Sequence, residues 1–366
     1  MRNRWLSRWI VGVASCLCAA AGYGCGEASS GSDDVVRIAG FGGDVTATYK
    51  DVWWEPLQER TGLAVREHAP ADFTKLKTQV DAGNIIWDVT EIATTGQYLQ
   101  AIEGGLVEQL DRELLQRELE AANAGDLKRD FIEGSVGTHG IWNTPYATIL
   151  MFDKRKFPDS GPQPSSLDDL WNFERFPGKR CINSTAVYNL EIALRADGVP
   201  REELYPLDVE RALRKLDELK PHVAKFWAVG SEPVQLVSDG ECVMSTVWNG
   251  RPFARSVLEG VDYLGLAWEN GIFETSWLAI PKGTPNRAAA YKALAQYMTP
   301  ETGAGMANAT GYPNGSKRLE SLIEPEAKPF LATNVDNLAT LTPQDASWWL
   351  ENGPEAEETF AEWVGG

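Results

Sequence analysis

The amino-acid sequence predicts an α/β protein built on an open, mainly parallel sheet, and three stretches carry that prediction. Residues 35–68 read as strand, Gly-rich turn, helix, glycine stop and second strand. Val243 to Val247 reads as a short buried strand that ends in the polar loop Trp248-Asn249-Gly250 and opens onto a helix. Ser276 to Ile280 reads as a further strand, stopped by Pro281 and followed by Lys-Gly-Thr-Pro-Asn turn chemistry. In an open α/β sheet, ligands bind in the crevice beyond the carboxyl ends of the strands. Aromatic and amide side chains at those ends therefore mark a candidate site.

In the first of these stretches, VVRIAGFGG (35–43) is a buried strand running into a Gly-rich turn, with no GxGxxG or P-loop pattern behind it. Asp44 to Arg60 places Tyr49, Val52, Trp53 and Leu57 at helical spacing, Thr61-Gly62 ends that helix, and Leu63 to His68 is the next strand. Asp72 to Ala82 reads as a helix ended by Gly83-Asn84, and Trp87 to Ile92 as a strand. The hydroxyls and amide of Ala93-Thr94-Thr95-Gly96-Gln97 can hold a small polar ligand or cap the next helix. Leu110 to Phe131 reads as a polar peripheral helix, and Ala147 to Phe152 as an apolar strand. Further helices are expected over 188–196, 208–219, 231–239 and 287–298, with C-terminal helices carrying Trp348, Trp349 and Trp363.

Several short motifs stand in a characteristic order: GECVMSTVWNG, then SWLAIPKG, then GYPN, with PGK at 177–179 upstream. From about Val36 to the C-terminus the chain resembles the periplasmic substrate-binding proteins of ABC importers, in particular the spermidine/putrescine-binding branch. The resemblance implies a type II periplasmic binding protein fold: two lobes, each a mixed, mainly parallel sheet flanked by helices, with the ligand cleft between them. It places lobe 1 at residues 35–146 plus 277–318 and lobe 2 at 147–276 plus 319–366, with crossings near 145–149, 274–278 and 315–322. It implies hinge closure on a small-molecule solute and delivery to an ABC permease in the membrane. The protein would act as a monomer, with no cofactor, metal or nucleic acid and no catalysis of its own. A secreted, surface-anchored enzyme and a ligand sensor feeding a membrane receptor are the rival readings.

Composition agrees with a folded, exported protein. With 366 residues, 43% hydrophobic and 14 tryptophans, the chain is long enough for two ordinary domains. Its formal charge of −18 argues against nucleic acid and anionic membrane surfaces as partners. The N-terminus, MRNRWLSRW followed by IVGVASCLCAAAGYG, has the basic and apolar regions of a secretory signal over 1–24. Cys25 and the Ser/Gly-rich stretch to Asp34 resemble the lipidated cysteine and tether of a bacterial lipoprotein, which implies a periplasmic or cell-surface location. Cys16 as the lipidated residue, or simple cleavage near Ala19 to Ala21, are the alternatives. Export implies an oxidising compartment. Cys181 and Cys242, the two cysteines of the folded body, are then a candidate disulfide, or else two separate buried thiols.

No HExxH or GxSxG motif occurs, and His68, His139 and His222 have no second ligand at metal-binding spacing. Carboxylate pairs such as Glu269 and Glu274 are unremarkable among 52 acidic residues. In the polyamine branch, aromatics sandwich the methylene chain and carboxylates pair with the ammonium groups, using cation–π attraction and charge-assisted hydrogen bonds. The resemblance makes Trp248 the stacking residue, beside Asn249, and turns Phe41 and Gly42 toward the ligand; a buried structural Trp248 is the alternative. Three acidic anchors of the branch are missing. Ser184 and Thr185 stand near where an acidic pair is expected, and Ser276 where a third acid is expected. Glu274 can supply one charge from a shifted position, and Tyr188 a wall. The expected ligand site is thus Phe41, Gly42, Thr94, Thr95, Thr185, Tyr188, Trp248, Asn249, Glu274 and Ser276. A buried ammonium without an acid is costly, so a ligand with one amine, of the 4-aminobutyrate type, or a neutral polar molecule fits better than a long polyamine.

Overall fold

The computed structural model describes residues 34–366, and the leader with Cys16 and Cys25 lies outside the described residues. Nine strands form one mixed sheet: β1 (Val35–Ala39), β2 (Ala64–His68), β3 (Val89–Ile92), β4 (Gly140–Asp153), β5 (Arg180–Asn183), β6 (Val223–Trp227), β7 (Met244–Trp248), β8 (Leu264–Ala279) and β9 (Thr342–Pro343). The order is β2-β1-β3-β8-β4-β7-β5-β6, with β9 on β8. The flanks β2-β1-β3 and β7-β5-β6 are parallel, and the long strands β4 and β8 run antiparallel to each other between them. Parallel strands need crossovers covered by helices; β1, β2, β3 and β7 match strands expected from the sequence, whereas the half-exposed edge strand β6 was not expected.

Among the described residues four apolar clusters pack about this sheet: one draws Ala39, Trp87 and Ile92 together with Cys181, Trp227 and Val247 from both flanks, one lies around Phe253 and Leu331, and two belong each to one flank. One gathers Ile38, Trp53, Leu57, Val89 and the Ala/Tyr face of the Arg287–Tyr297 helix. The other gathers Ile182, Leu190, Leu194 and Leu216 with Phe360 of the Ala346–Gly365 helix. β4 and β8 contribute to both, Ile141 and Leu278 to the first and Leu150 and Ile272 to the second.

The two long strands are where the sequence reading falls short. Only 147–152 and 276–280 are expected as strand, whereas β4 spans 14 residues and β8 spans 16. β8 is buried on both faces for most of its length, so it shows no alternation to read. Asn270-Gly271, a turn signal on its own, sits in β8 with Asn270 at φ +63, and the β4–β8 register shifts opposite it, between Thr148 and Leu150. Pro145 occupies a second register shift in β4. The helix expected over 110–131 is confined to Arg112–Ala121, capped by Asp111, and the Pro162–Phe176 segment holds only a short 3-10 turn at Leu167–Trp171.

Cys181 and Cys242 are joined in a disulfide, with Cα atoms 5.9 Å apart. It fastens β5 to the loop that feeds β7, and its 61-residue separation spans three intervening α-helices. Closing a loop of that length in the unfolded chain is worth about 4 kcal/mol in the chain-entropy picture. The double substitution Cys181→Ser/Cys242→Ser is expected to lower the unfolding midpoint by roughly 5–10 °C, read by calorimetry of the mature protein. An unchanged midpoint would show that the bridge does not restrain the unfolded chain.

Candidate functional site

A cavity of about 480 Å³ opens where the two parallel flanks meet the crossing strands. Its first wall comes from the turn after β1. Gly42 has φ +88 and ψ −174, a conformation open to glycine alone, and its N–H donates to Thr46 Oγ1 at 2.9 Å. That turn presents Phe41, whose ring is 42% exposed and lines the cavity.

Beneath Phe41 lies Glu91, at the carboxyl end of β3 and only 4% exposed. Oε1 accepts from the Tyr49 hydroxyl and from Asn143 Nδ2 (2.7 Å), and Oε2 accepts from the Phe41 N–H. A carboxylate has about four acceptor sites, so one remains on Oε2, and Glu91 lines the cavity. Burial raises the Glu91 carboxyl above the ordinary glutamate value, and these three donors act against that shift. Among the described residues no cation lies within ion-pair distance of it.

The opposite wall is the end of β7. Trp248 stands edge-on to Trp227 (5.6 Å, 87°) and to Tyr146 (6.3 Å, 70°), and its buried Nε1 has no partner among the described residues. Asn249 lies outside the cavity lining, contrary to expectation. Its Oδ1 accepts from Ala147 N–H (2.9 Å), and its Nδ2 donates to the carbonyls of Gly311 (3.3 Å) and Phe330 (2.7 Å). Gly250 is required by close approach, because a Cβ there would lie 2.1 Å from the Tyr312 ring. The WNG and GYPN motifs thus meet, the first seating the tyrosine of the second against the cavity.

Arg251 follows on the exposed rim, its guanidinium carbon 5.9 Å from the Trp248 ring centre. It has no carboxylate partner among the described residues. The floor is completed by Thr144 and Ser276, whose hydroxyls lie 2.5 Å apart across β4 and β8. Of the described side chains that line the cavity, Glu91 and Arg251 are the charged ones, and Phe41, Tyr49, Tyr146, Trp248 and Tyr312 supply the aromatic surface.

The structure therefore brings together Phe41, Gly42, Trp248 and Ser276 from the expected set. Thr94 caps the Thr95–Glu103 helix through Gln97 N–H, and Thr185 bonds to Asn183. Thr95 is bonded to Glu274, which is 3% exposed, and Tyr188 stands behind Tyr146 with their hydroxyls 2.9 Å apart. These five and Asn249 do not line the cavity. Sequence reasoning missed Glu91, Tyr49, Asn143, Thr144, Tyr146, Arg251 and Tyr312. For Glu91 a signal existed: a lone carboxylate at the end of an apolar strand, in TEIA. His222 stacks on Phe173 at 3.7 Å, and no group of three or more metal-ligating side chains occurs among the described residues.

The raised Glu91 carboxyl has a signed consequence for the ligand-free protein. The folded state holds this proton more tightly than the unfolded chain. Its contribution to stability is therefore full below the ordinary value of 4.5 and is lost as pH rises through the raised folded value. Glu91→Gln removes the titration. The unfolding midpoint of the variant, measured against the wild type without ligand, is expected to improve relatively from pH 5 to pH 8; a pH-independent difference would contradict the assignment.

Comparison with known proteins bears on this geometry. The family profile for bacterial extracellular solute-binding proteins matches residues 53–333. The chain is 32% identical over 343 residues to the gamma-aminobutyric acid-binding protein of Pseudomonas aeruginosa, covering 92% of this chain and 93% of that one. It is 26% identical over 285 residues to the spermidine/putrescine-binding periplasmic protein of Escherichia coli, covering 74% and 76%. An ABC transporter substrate-binding protein from Bradyrhizobium japonicum superposes with a TM-score of 0.78 at 31% identity, over 90% of this chain and 99% of that one. The mixed α/β sheet with its flanking helices is that of the periplasmic binding proteins. Among the described residues no helix is long and apolar enough to cross a membrane.

Proposed function

The chain belongs to the bacterial extracellular solute-binding protein family, and from that membership we propose that its solute is a small amino acid with separated charges, of the 4-aminobutyrate type. The carrying observation is the pairing of Glu91 and Arg251 in one aromatic cavity. Glu91 offers a free acceptor to an ammonium, while Phe41, Trp248 and Tyr312 offer faces to it and to the methylene chain. Arg251, without a carboxylate of its own, offers a planar fork to a carboxylate. A diamine would put its second ammonium toward a guanidinium. The relative that binds gamma-aminobutyric acid supports the same choice over the polyamine-binding ones.

Capture proceeds by closure of two lobes, 35–146 plus 277–318 and 147–276 plus 319–366, about crossings near 145–149, 274–278 and 315–322. The sheet order, in which β4 and β8 alone join the β2-β1-β3 flank to the β7-β5-β6 flank among the described strands, supports this division. The closed, loaded monomer docks on an ABC permease and hands over the solute chemically unchanged, with no cofactor. The leader's layout supports attachment of the protein to a bacterial membrane by lipidation at Cys25. Cys25→Ser is then expected to move it from the membrane fraction to the soluble fraction, and retention in the membrane would point to another anchor.

Titration calorimetry of the mature protein against 4-aminobutyrate, putrescine, spermidine and 5-aminovalerate tests the ligand. The amino acids are expected to bind and to be recovered intact. Glu91→Gln and Trp248→Ala should each weaken them roughly 10- to 100-fold, the scale of a lost charged hydrogen bond or of cation–π contact with chain packing. Arg251→Gln should weaken the amino acids while leaving simple monoamines unaffected. Tight spermidine binding that survives Glu91→Gln would overturn the reading.

A further inference from the structure

Next to the cavity, hidden from it, lies a second buried carboxylate. Glu274 sits two residues before Ser276 on β8, hence on the same face of the sheet, and directly opposite Tyr146 of β4. Its Oε1 accepts from the Thr95 hydroxyl (2.5 Å), the Thr95 N–H (3.3 Å) and the Thr275 N–H (2.7 Å). No donor among the described residues reaches Oε2, and no cation lies within ion-pair distance. A carboxylate buried without a cation is costly, and nothing in capturing one small amino acid at Glu91 and Arg251 calls for it.

Glu274 is not among the residues that line the cavity, and two tyrosines stand beside it. Tyr146 lines the cavity, and its hydroxyl is 2.9 Å from that of Tyr188, which is 6% exposed. Tyr188 is held in a costly backbone conformation. It has φ +73 and ψ −43 at the start of the Ala186–Ala196 helix, beside Val187 at φ −53 and ψ 130. The surroundings fix that break. Glu357 of the C-terminal helix accepts from Ala186 N–H (2.8 Å) and Val187 N–H (3.2 Å), and Asn189 Nδ2 donates to the carbonyls of Asn183 and Thr185. Backbone strain in a non-glycine residue persists where the structure over-determines it, and it concentrates at ligand clamps.

We propose that the Tyr146–Tyr188 pair is a specificity gate: it walls off Glu274, so that the site offers a ligand one anionic anchor and not two. The inference rests on the functional reading above and deepens it. With the gate in place the cavity takes one ammonium at Glu91. With the gate removed, Glu274 becomes a second anchor one step along the floor from Ser276, and the site takes diamines. The residues that set selectivity between amino acid and diamine are thus a tyrosine pair, in addition to the charges that touch the ligand.

Tyr188→Gly tests this directly, because glycine accepts φ +73 without strain while losing the ring. Dissociation constants are measured by calorimetry for 4-aminobutyrate, 1,3-diaminopropane, putrescine and cadaverine. At least one diamine is expected to bind Tyr188→Gly tenfold or more tightly than it binds the wild type. Adding Glu274→Gln to Tyr188→Gly is expected to abolish that gain. Tyr188→Phe, which keeps the ring, should show none. A folded Tyr188→Gly protein with unchanged diamine affinities overturns the gate, as does a gain that survives Glu274→Gln. Should Tyr188→Gly fail to fold, Tyr146→Ala opens the same wall from β4 and is read by the same ratios. A wild type that binds no amine at all would instead sink the functional reading, and the gate with it.

Discussion

The arrangement of the cleft depends on one buried carboxylate and its donors. Glu91 draws the Phe41 N–H from the turn after β1, the Tyr49 hydroxyl from the first helical run and the Asn143 amide from β4 into a single knot. Tyr297, from the Arg287–Tyr297 helix, donates to the Asn143 carbonyl and extends the knot to a fourth element. Each of these groups is buried, so each needs its partner. Removing the acid would leave several donors in an apolar surround, each costing about 1–3 kcal/mol. The same carboxylate that the cleft offers to a ligand therefore also positions the cleft's walls.

On the other side of the cavity the work is divided among three consecutive residues. Trp248 gives the aromatic face, Asn249 ties β4 to the Gly311 turn and the Phe330 loop, and Gly250 leaves room for Tyr312. An amide can do what Asn249 does because it donates and accepts at once, bridging three backbone segments that no ladder joins. The short WNG sequence is thus a wall, a strut and a seat, one residue each. Only the first of these roles needs a ligand to explain it.

This division also explains how much of the molecule was legible in its sequence. β1, β3 and β7 were readable because they are short and apolar, and the helices around them because Asp72, Thr94 and Asp208 cap where hydroxyls and carboxylates stand before apolar periodicity; the half-exposed edge strand β6 gave no such signal. The crossing strands were not readable, since β8 is buried on both faces and its Asn270-Gly271 imitates a turn. At the site, residues announced by short motifs were found, as with Trp248, Gly42 and Ser276. Those whose role comes from long-range contact were missed. Tyr49 reaches Glu91 across 42 positions, and Tyr312 meets Gly250 across more than sixty. Asn249 was misjudged for the same reason: an amide at a strand end suits a ligand and a backbone strut equally until the partners are known.

Burial of charge then decides what the cleft can select. Glu91, Glu191 and Glu274 are all shielded from water, and burial pushes each carboxyl above its ordinary value. They are treated differently by their neighbours. Glu191 spends one oxygen on Tyr205, Gln344 and Trp349, which lace the C-terminal helix and the β9 segment to the Ala186–Ala196 helix. Glu274 is held by Thr95 outside the cavity lining, and of the three only Glu91 lines the cavity. In the proposed function, a ligand ammonium at Glu91 would supply the missing counter-charge in a poorly hydrated space, where Coulomb attraction is much stronger than in water. The ion pair is completed only when solute is present, so the cost of burying Glu91 in the empty protein is recovered on binding. In the proposed hinge mechanism, that difference between empty and loaded states would favour the closed form only when the cavity is filled.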